Sequence, residues 1–138
     1  MTGTYPHSLD SAGRLIVPAK LREKLGRHFF LAPGTRGNIT MYTAEGWKEL
    51  KAKVAAMPVA DREEMDFFFA MAQECEADKQ WRFPVSDILK EYAGIEHDVV
   101  TTGNNDLAQI WNAAMWSEKK QQGMNPANIA SLMARMRV

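Results

Sequence analysis

Along the first third of the chain the apolar positions fall in short runs separated by turn residues, a pattern of strands and one small helix. Residues 5–9 predict a strand, 10–13 a turn and 14–17 a returning strand that completes a hairpin. Pro18 suits the first position of a helix over 19–25, because its missing N–H would have no partner there. Gly26 ends that helix. Strands over 28–32 and 39–42 follow, joined by a loop over 33–38. The period then changes. Trp47, Leu50, Val54 and Met57 recur at helical spacing, so 44–57 reads as a helix with Thr43 as its N-cap and Pro58 as its break. A second helix over 61–73 opens with acidic residues, which suit the positive helix end. Its Met65, Phe67, Phe68, Phe69 and Met71 cover more than one face, which predicts burial on several sides and a subunit interface.

The strand pattern then returns. Residues 75–77 and 82–85 predict strands around a turn over 78–81. Ser86 caps a helix over 87–93, and strands over 98–101 and 107–111 flank the turn Gly103-Asn104-Asn105-Asp106. Asn112 begins a short helix through 119, and 121–124 reads as a linker. Asn125-Pro126 opens a last helix with Ile129, Leu132, Met133 and Met136 on one side.

This return is a repeat. Residues 9–26 (LDSAGRLIVPAKLREKLG) align without gaps on 77–94 (ADKQWRFPVSDILKEYAG). The alignment matches Asp10 with Asp78, Arg14 with Arg82, Val17 with Val85, Leu21 with Leu89, Glu23 with Glu91 and Gly26 with Gly94. After a slip of one residue, Tyr42 meets Trp111 and Trp47 meets Trp116. Two copies are too few for a solenoid. They predict a pseudo-two-fold domain in which each copy buries the other's apolar face.

Composition adds bounds. A chain of 138 residues, 46% apolar and 25% charged, is one ordinary globular domain with room for a core. No apolar run reaches the roughly 18 residues of a membrane span, and the N-terminus lacks a signal-type stretch. The expected location is therefore cytoplasmic, with no membrane partner. A lone Cys75 agrees with a reducing compartment. Net charge is zero, but its distribution is uneven. Residues 1–53 balance at +5, 54–98 at −7 and 99–138 at +2. The first copy thus lies in a basic third, where contact with a polyanion is electrostatically favoured.

The doubled pattern of Asp-x-x-x-Arg, apolar strand, Pro, Leu-Arg-Glu and Gly resembles the MraZ family, over about residues 5–119. The family's members are bacterial transcription regulators built of two SpoVT-AbrB-type halves. The resemblance implies an α+β fold, a pseudo-two-fold AbrB-like double-split β-barrel with peripheral helices. It divides the chain into a first half (1–53), connecting helices (54–73), a divergent second half (74–120) and a C-terminal helix (121–138). It implies sequence-specific binding of double-stranded DNA at promoter repeats, as a repressor of a bacterial division and cell-wall gene cluster. It also implies a cyclic homo-oligomer, association with the nucleoid, no cofactor and no enzymatic activity.

Among the residues, Asp10 and Gly13 read as turn-shaping. From residue types alone, Arg14 is half of an ion pair with Asp10. The resemblance makes Arg14 the principal DNA contact, a role its planar fork suits. Lys20, Arg22, Arg36 and Arg82 are further DNA-binding candidates. Lys20 and Lys24 share a helix face but Lys20 and Arg22 do not, so the cations cannot all join one patch. The second copy departs from the family pattern. Asp78 keeps its turn-shaping place, but Trp81 replaces the turn glycine. Trp resists the left-handed conformation, so that turn is expected to differ locally and Trp81 is a stacking candidate. Pro84 confines its strand to an edge or a bulge. These departures, with the acidic segment, support the rival expectation of an assembly protein that has lost DNA.

Catalysis finds little support. His7, His28 and His97 show no metal-ligand spacing, and no metal site is expected. Glu74 and Glu76 disfavour a Cys75 thiolate. Glu74, Glu76 and Asp78 alternate on one strand, where a solvated acidic face outweighs a divalent-ion site.

Overall fold

The structure is a computed structural model that describes residues 1–138. It is an α+β fold of eight strands and six α-helices. The first repeat supplies β1 (Thr4–Ser8), β2 (Arg14–Ile16), α1 (Arg22–Leu25), β3 (His28–Pro33), β4 (Ile39–Thr43), α2 (Ala44–Ala55) and α3 (Val59–Met71). A single 3-10 turn, Ala19–Leu21, leads into α1. The second supplies β5 (Gln73–Glu76), β6 (Arg82–Pro84), α4 (Asp87–Ala93), β7 (Asp98–Asn104), β8 (Leu107–Asn112), α5 (Ala113–Gly123) and α6 (Pro126–Met136). No helix is long and apolar enough to cross a membrane.

The strands interleave the two repeats. One antiparallel sheet has the order β1-β7-β8-β4-β3-β5, and a separate two-stranded ribbon joins β2 to β6. Each repeat's first strand thus leaves its own half. β1 pairs with β7, and β5 pairs with β3. The order reads the same from both ends once repeat-equivalent strands are matched, with β8 against β4 at the centre. The hairpin expected of residues 5–17 is therefore absent. The turn at its tip forms, but β1 and β2 diverge into different sheets.

The core lies between the sheet, the ribbon and the short helices. Val17 and Val85, Leu21 and Leu89, and Leu15 and Phe83 are all buried at equivalent positions. Phe29 meets Phe83 edge to face, 5.0 Å between ring centres. Gly26 and Gly94 both take positive φ where the short helices end; Gly94 is a left-handed helix stop, whereas Gly26 combines φ +71° with an extended ψ, a region open essentially to glycine alone.

The caps follow their chemistry. Thr43 and Ser86 accept from backbone N–H groups two or three residues into their helices. Asn112 and Asn125 do the same for α5 and α6. The linker expected over 121–124 is mostly helical instead: α5 continues to Gly123, and the break comes at Met124. Helix α3 differs from expectation in the other direction, for it has no buried residue. Phe68 and Phe69 pack on Trp47, while Phe67 is 80% exposed.

Candidate nucleic-acid interface

The site grows from two turns of one design. In the first, Asp10 Oδ1 accepts from the N–H groups of Ala12 and Arg14, both at 2.9 Å. Asp10 Oδ2 accepts from Arg14 Nε at 2.9 Å. In the second, Asp78 Oδ1 accepts from Gln80 and Arg82 N–H, and Oδ2 from Arg82 Nε, again all at 2.9 Å. One carboxylate therefore shapes each turn and fixes the arginine that leaves it. These bonds hold the Asp10 and Asp78 carboxyls below the usual range. The bond from the arginine's own backbone N–H is the largest cause in each.

Gly13 takes φ +73° and Trp81 takes φ +65°. The expectation that Trp81 would force a different turn is corrected. The left-handed backbone costs an L residue roughly 1–2 kcal/mol, and contacts from the first repeat offset it. The Arg27 guanidinium lies 3.9 Å from the Trp81 ring centre and that of Arg22 lies 5.2 Å away. Arg27 also donates to the Asp78 carbonyl. The ring is half-buried against the core rather than displayed. The support is reciprocal. A Cβ at Gly13 would meet Lys90 Nζ at 3.4 Å, so α4 of the second repeat brings a cation to the first turn. The repeat alignment sets Lys90 against Arg22 and keeps the charge, but the spacing alone did not mark Lys90 as a site residue.

The ribbon sets both arginines on one face. Arg14 lies opposite Pro84, Leu15 opposite Phe83 and Ile16 opposite Arg82. Leu15 and Phe83 point inward and are 1% exposed. Strand alternation therefore turns Arg14, Ile16, Arg82 and Pro84 outward together. Ile16 is 48% exposed. Pro84 is tolerated because each ribbon strand has a single partner, an edge on its other side.

The remaining candidates lie elsewhere. Arg22 donates from Nε to the Val17 carbonyl at 2.9 Å, which ties it to the Trp81 stack. Lys20 is exposed and lines a shallow depression with Met1, Thr2, Tyr5, Glu23 and Lys24. Arg36 sits on the β3–β4 loop, its guanidinium 4.9 Å from the Trp111 ring centre and its Nη2 3.3 Å from Gln109 Oε1. The ribbon does not gather Lys20 or Arg36 onto its outer face.

Other chemistry is sparse. Cys75 is buried, and burial followed by the Glu74 charge pushes its thiol up to about 12, far from a thiolate. Glu74 instead pairs with His28 at 2.6 Å. No three His, Cys, Asp or Glu side chains converge.

Two interleaved repeats that present a pair of carboxylate-clasped arginines on one β-ribbon define a two-copy ribbon domain. Residues 1–67 and 68–136 each match the family model described as "MraZ protein, putative antitoxin-like". The chain is 39% identical over 136 residues to the transcriptional regulator MraZ of Acetivibrio thermocellus, covering 96% of this chain and 95% of that one. It is 41% identical over 134 residues to the protein of the same name from Clostridium botulinum, covering 95% and 94%. Against that of Heliobacterium modesticaldum it is 42% identical over 123 residues, covering 87% and 86%. The chain belongs to the MraZ family.

Proposed function

We propose that this protein is a transcription regulator that reads double-stranded DNA with the β2–β6 ribbon. The observation that carries the reading is the outward face on which Arg14 and Arg82 project together. A two-stranded ribbon is one of the two elements the major groove admits, and an arginine fork grips guanine O6 and N7 or a phosphate. The aspartate clasps lower the entropy lost when each arginine engages. Lys20, Arg22 and Arg36 are assigned to the salt-dependent phosphate term, behind Arg14 and Arg82. Relatives named as transcriptional regulators support the regulatory role.

The finer picture extends this reading. The interleaved strands are the double-split barrel of SpoVT-AbrB-type halves, 1–53 and 74–120, joined by 54–73 and followed by 121–138. The protein acts in the cytoplasm at the nucleoid, as a repressor at promoter repeats of a division and cell-wall gene cluster. It does so as a cyclic homo-oligomer, so that many modest arginine contacts sum on tandem sites. The exposed Phe67 on α3 and the apolar stripe of α6 are its subunit contacts.

The test is binding to a tandem-repeat promoter fragment across a salt series. Arg14→Ala should weaken binding by about 10–100-fold, the worth of one bidentate base contact. Equal, weak binding by both proteins at every salt concentration would favour the assembly-protein reading.

A further inference from the structure

The two arginines of the ribbon are not equally free. Each gives its Nε to an aspartate at 2.9 Å, and each is about one-third exposed, 34% for Arg14 and 33% for Arg82. Beyond that the turns differ at one position. Gln80 stands where the first turn has Ala12. Arg82 Nη2 donates to Gln80 Oε1 at 2.7 Å, whereas the methyl group of Ala12 can accept nothing from Arg14. Arg14 forms no hydrogen bond through its Nη groups within the chain. The first turn thus offers both arms of its guanidinium fork. The second offers a fork in which one arm has given one of its two N–H groups to Gln80 and is held in that orientation.

That difference matters because the two kinds of DNA contact need different things. Reading guanine takes two parallel donors from one fork, to O6 and N7. Holding a phosphate takes a positive charge and one donor, and it carries no direct sequence information. We propose that Gln80 is a positioning residue that holds Arg82 back from base reading and assigns it to the DNA backbone, leaving Arg14 as the base-reading arginine. The ribbon's pseudo-symmetric backbone is thereby made functionally asymmetric, and each protomer reads a directional site instead of a palindromic one. This rests on the DNA-binding reading above.

The test uses the full-length protein and a duplex selected by it in vitro from a random-sequence library. Affinity is measured for that duplex and for a scrambled one across a salt series. Arg14→Ala should cost at least tenfold on the selected duplex and much less on the scrambled one. Arg82→Ala should cost the same few-fold on both and reduce the salt slope by about one. Gln80→Ala alters an exposed side chain and leaves the Asp78 clasp in place. In that background Arg82→Ala should now cost at least tenfold on a duplex reselected with Gln80→Ala, which should show an additional fixed base pair. Gln80→Glu, with a stronger acceptor, should keep Arg82 a backbone contact. The inference is overturned if Arg82→Ala in the wild type erases sequence preference as Arg14→Ala does, or if Gln80→Ala leaves the cost of losing Arg82 unchanged. If the wild-type protein selects no duplex at all, the DNA-binding reading itself falls and takes this inference with it.

Discussion

Helices α3 and α6 occupy equivalent places in the two repeats, yet only α3 is seated on the body of the molecule. Near the end of α3, Phe68 and Phe69 pack against Trp47, and Phe30 of β3 stacks on the same indole, 4.9 Å between ring centres. Sixty-eight residues later the matching positions hold Met136 and Arg137. Trp116, the counterpart of Trp47, keeps the equivalent contact, with Trp111 in place of Tyr42 at 5.4 Å in both repeats, but gathers no aromatic ring from α6. Neither helix has a fully buried residue, but α6 leaves its whole apolar stripe, Ile129, Leu132, Met133 and Met136, exposed. The difference teaches that an amphipathic stripe specifies a helix but not its seat. A large aromatic key on one element and a lock on the other decide whether the helix is held.

The largest effect should come from breaking the seated helix. Trp47→Ala should lower stability by about 3–5 kcal/mol, as for other buried tryptophans, while Trp116→Ala, half-buried, should cost only about 1–2 kcal/mol. Urea midpoints measure both, and equal costs would erase the contrast. Trp81→Gly comes next. It relieves the left-handed strain but removes a half-buried ring and its two guanidinium contacts. Packing exceeds strain here, so a net loss of about 1 kcal/mol is expected. A gain in thermal midpoint would show that strain dominates.

The edges of the sheet should respond differently to acid. His7 on β1 lies 2.7 Å from Thr101 Oγ1, and burial lowers its pKa. Its repeat counterpart on β5 is Cys75, already neutral. A histidine held below its ordinary value near 6.5 contributes stability that is present above that value and lost as pH falls through the folded one. Thermal midpoints should fall from pH 7 to pH 5, and His7→Asn should flatten the fall. Asp10 and Asp78 act in a separate window, since their lowered pKa values matter only below about pH 4. The smallest effect on stability belongs to α6. Met133→Asp should shift unfolding by less than about 0.5 kcal/mol. Light scattering should nevertheless show a smaller particle if that stripe joins subunits.

Much of this was legible in the residues. Asp-x-x-x-Arg predicted both turns, because an aspartate that bonds its own backbone acts over four residues. Caps at Thr43, Ser86 and Asn125 were readable for the same local reason. What escaped the sequence depends on distance or on neighbours. Residues 5–17 look like a hairpin because periodicity sees adjacent strands, but β1 finds its partner more than ninety residues away. Trp81 looked incompatible with its turn because the compensating Arg22 and Arg27 come from the other repeat. The shared outward face of Arg14 and Arg82 required the ribbon's register, which no spacing along the chain encodes. Gln80 looked like any polar turn residue until its oxygen was placed beside Arg82.

The exchange of first strands between the repeats also governs when the molecule can form. As the chain leaves the ribosome, β2 has no complete partner until residue 84 has emerged, and β1 none until residue 102. Neither repeat is a folding unit by itself. Closing such long loops before any pairing is rewarded makes folding slow relative to a helical domain of the same size. A product truncated before residue 84 therefore displays no complete ribbon and cannot present the paired arginines.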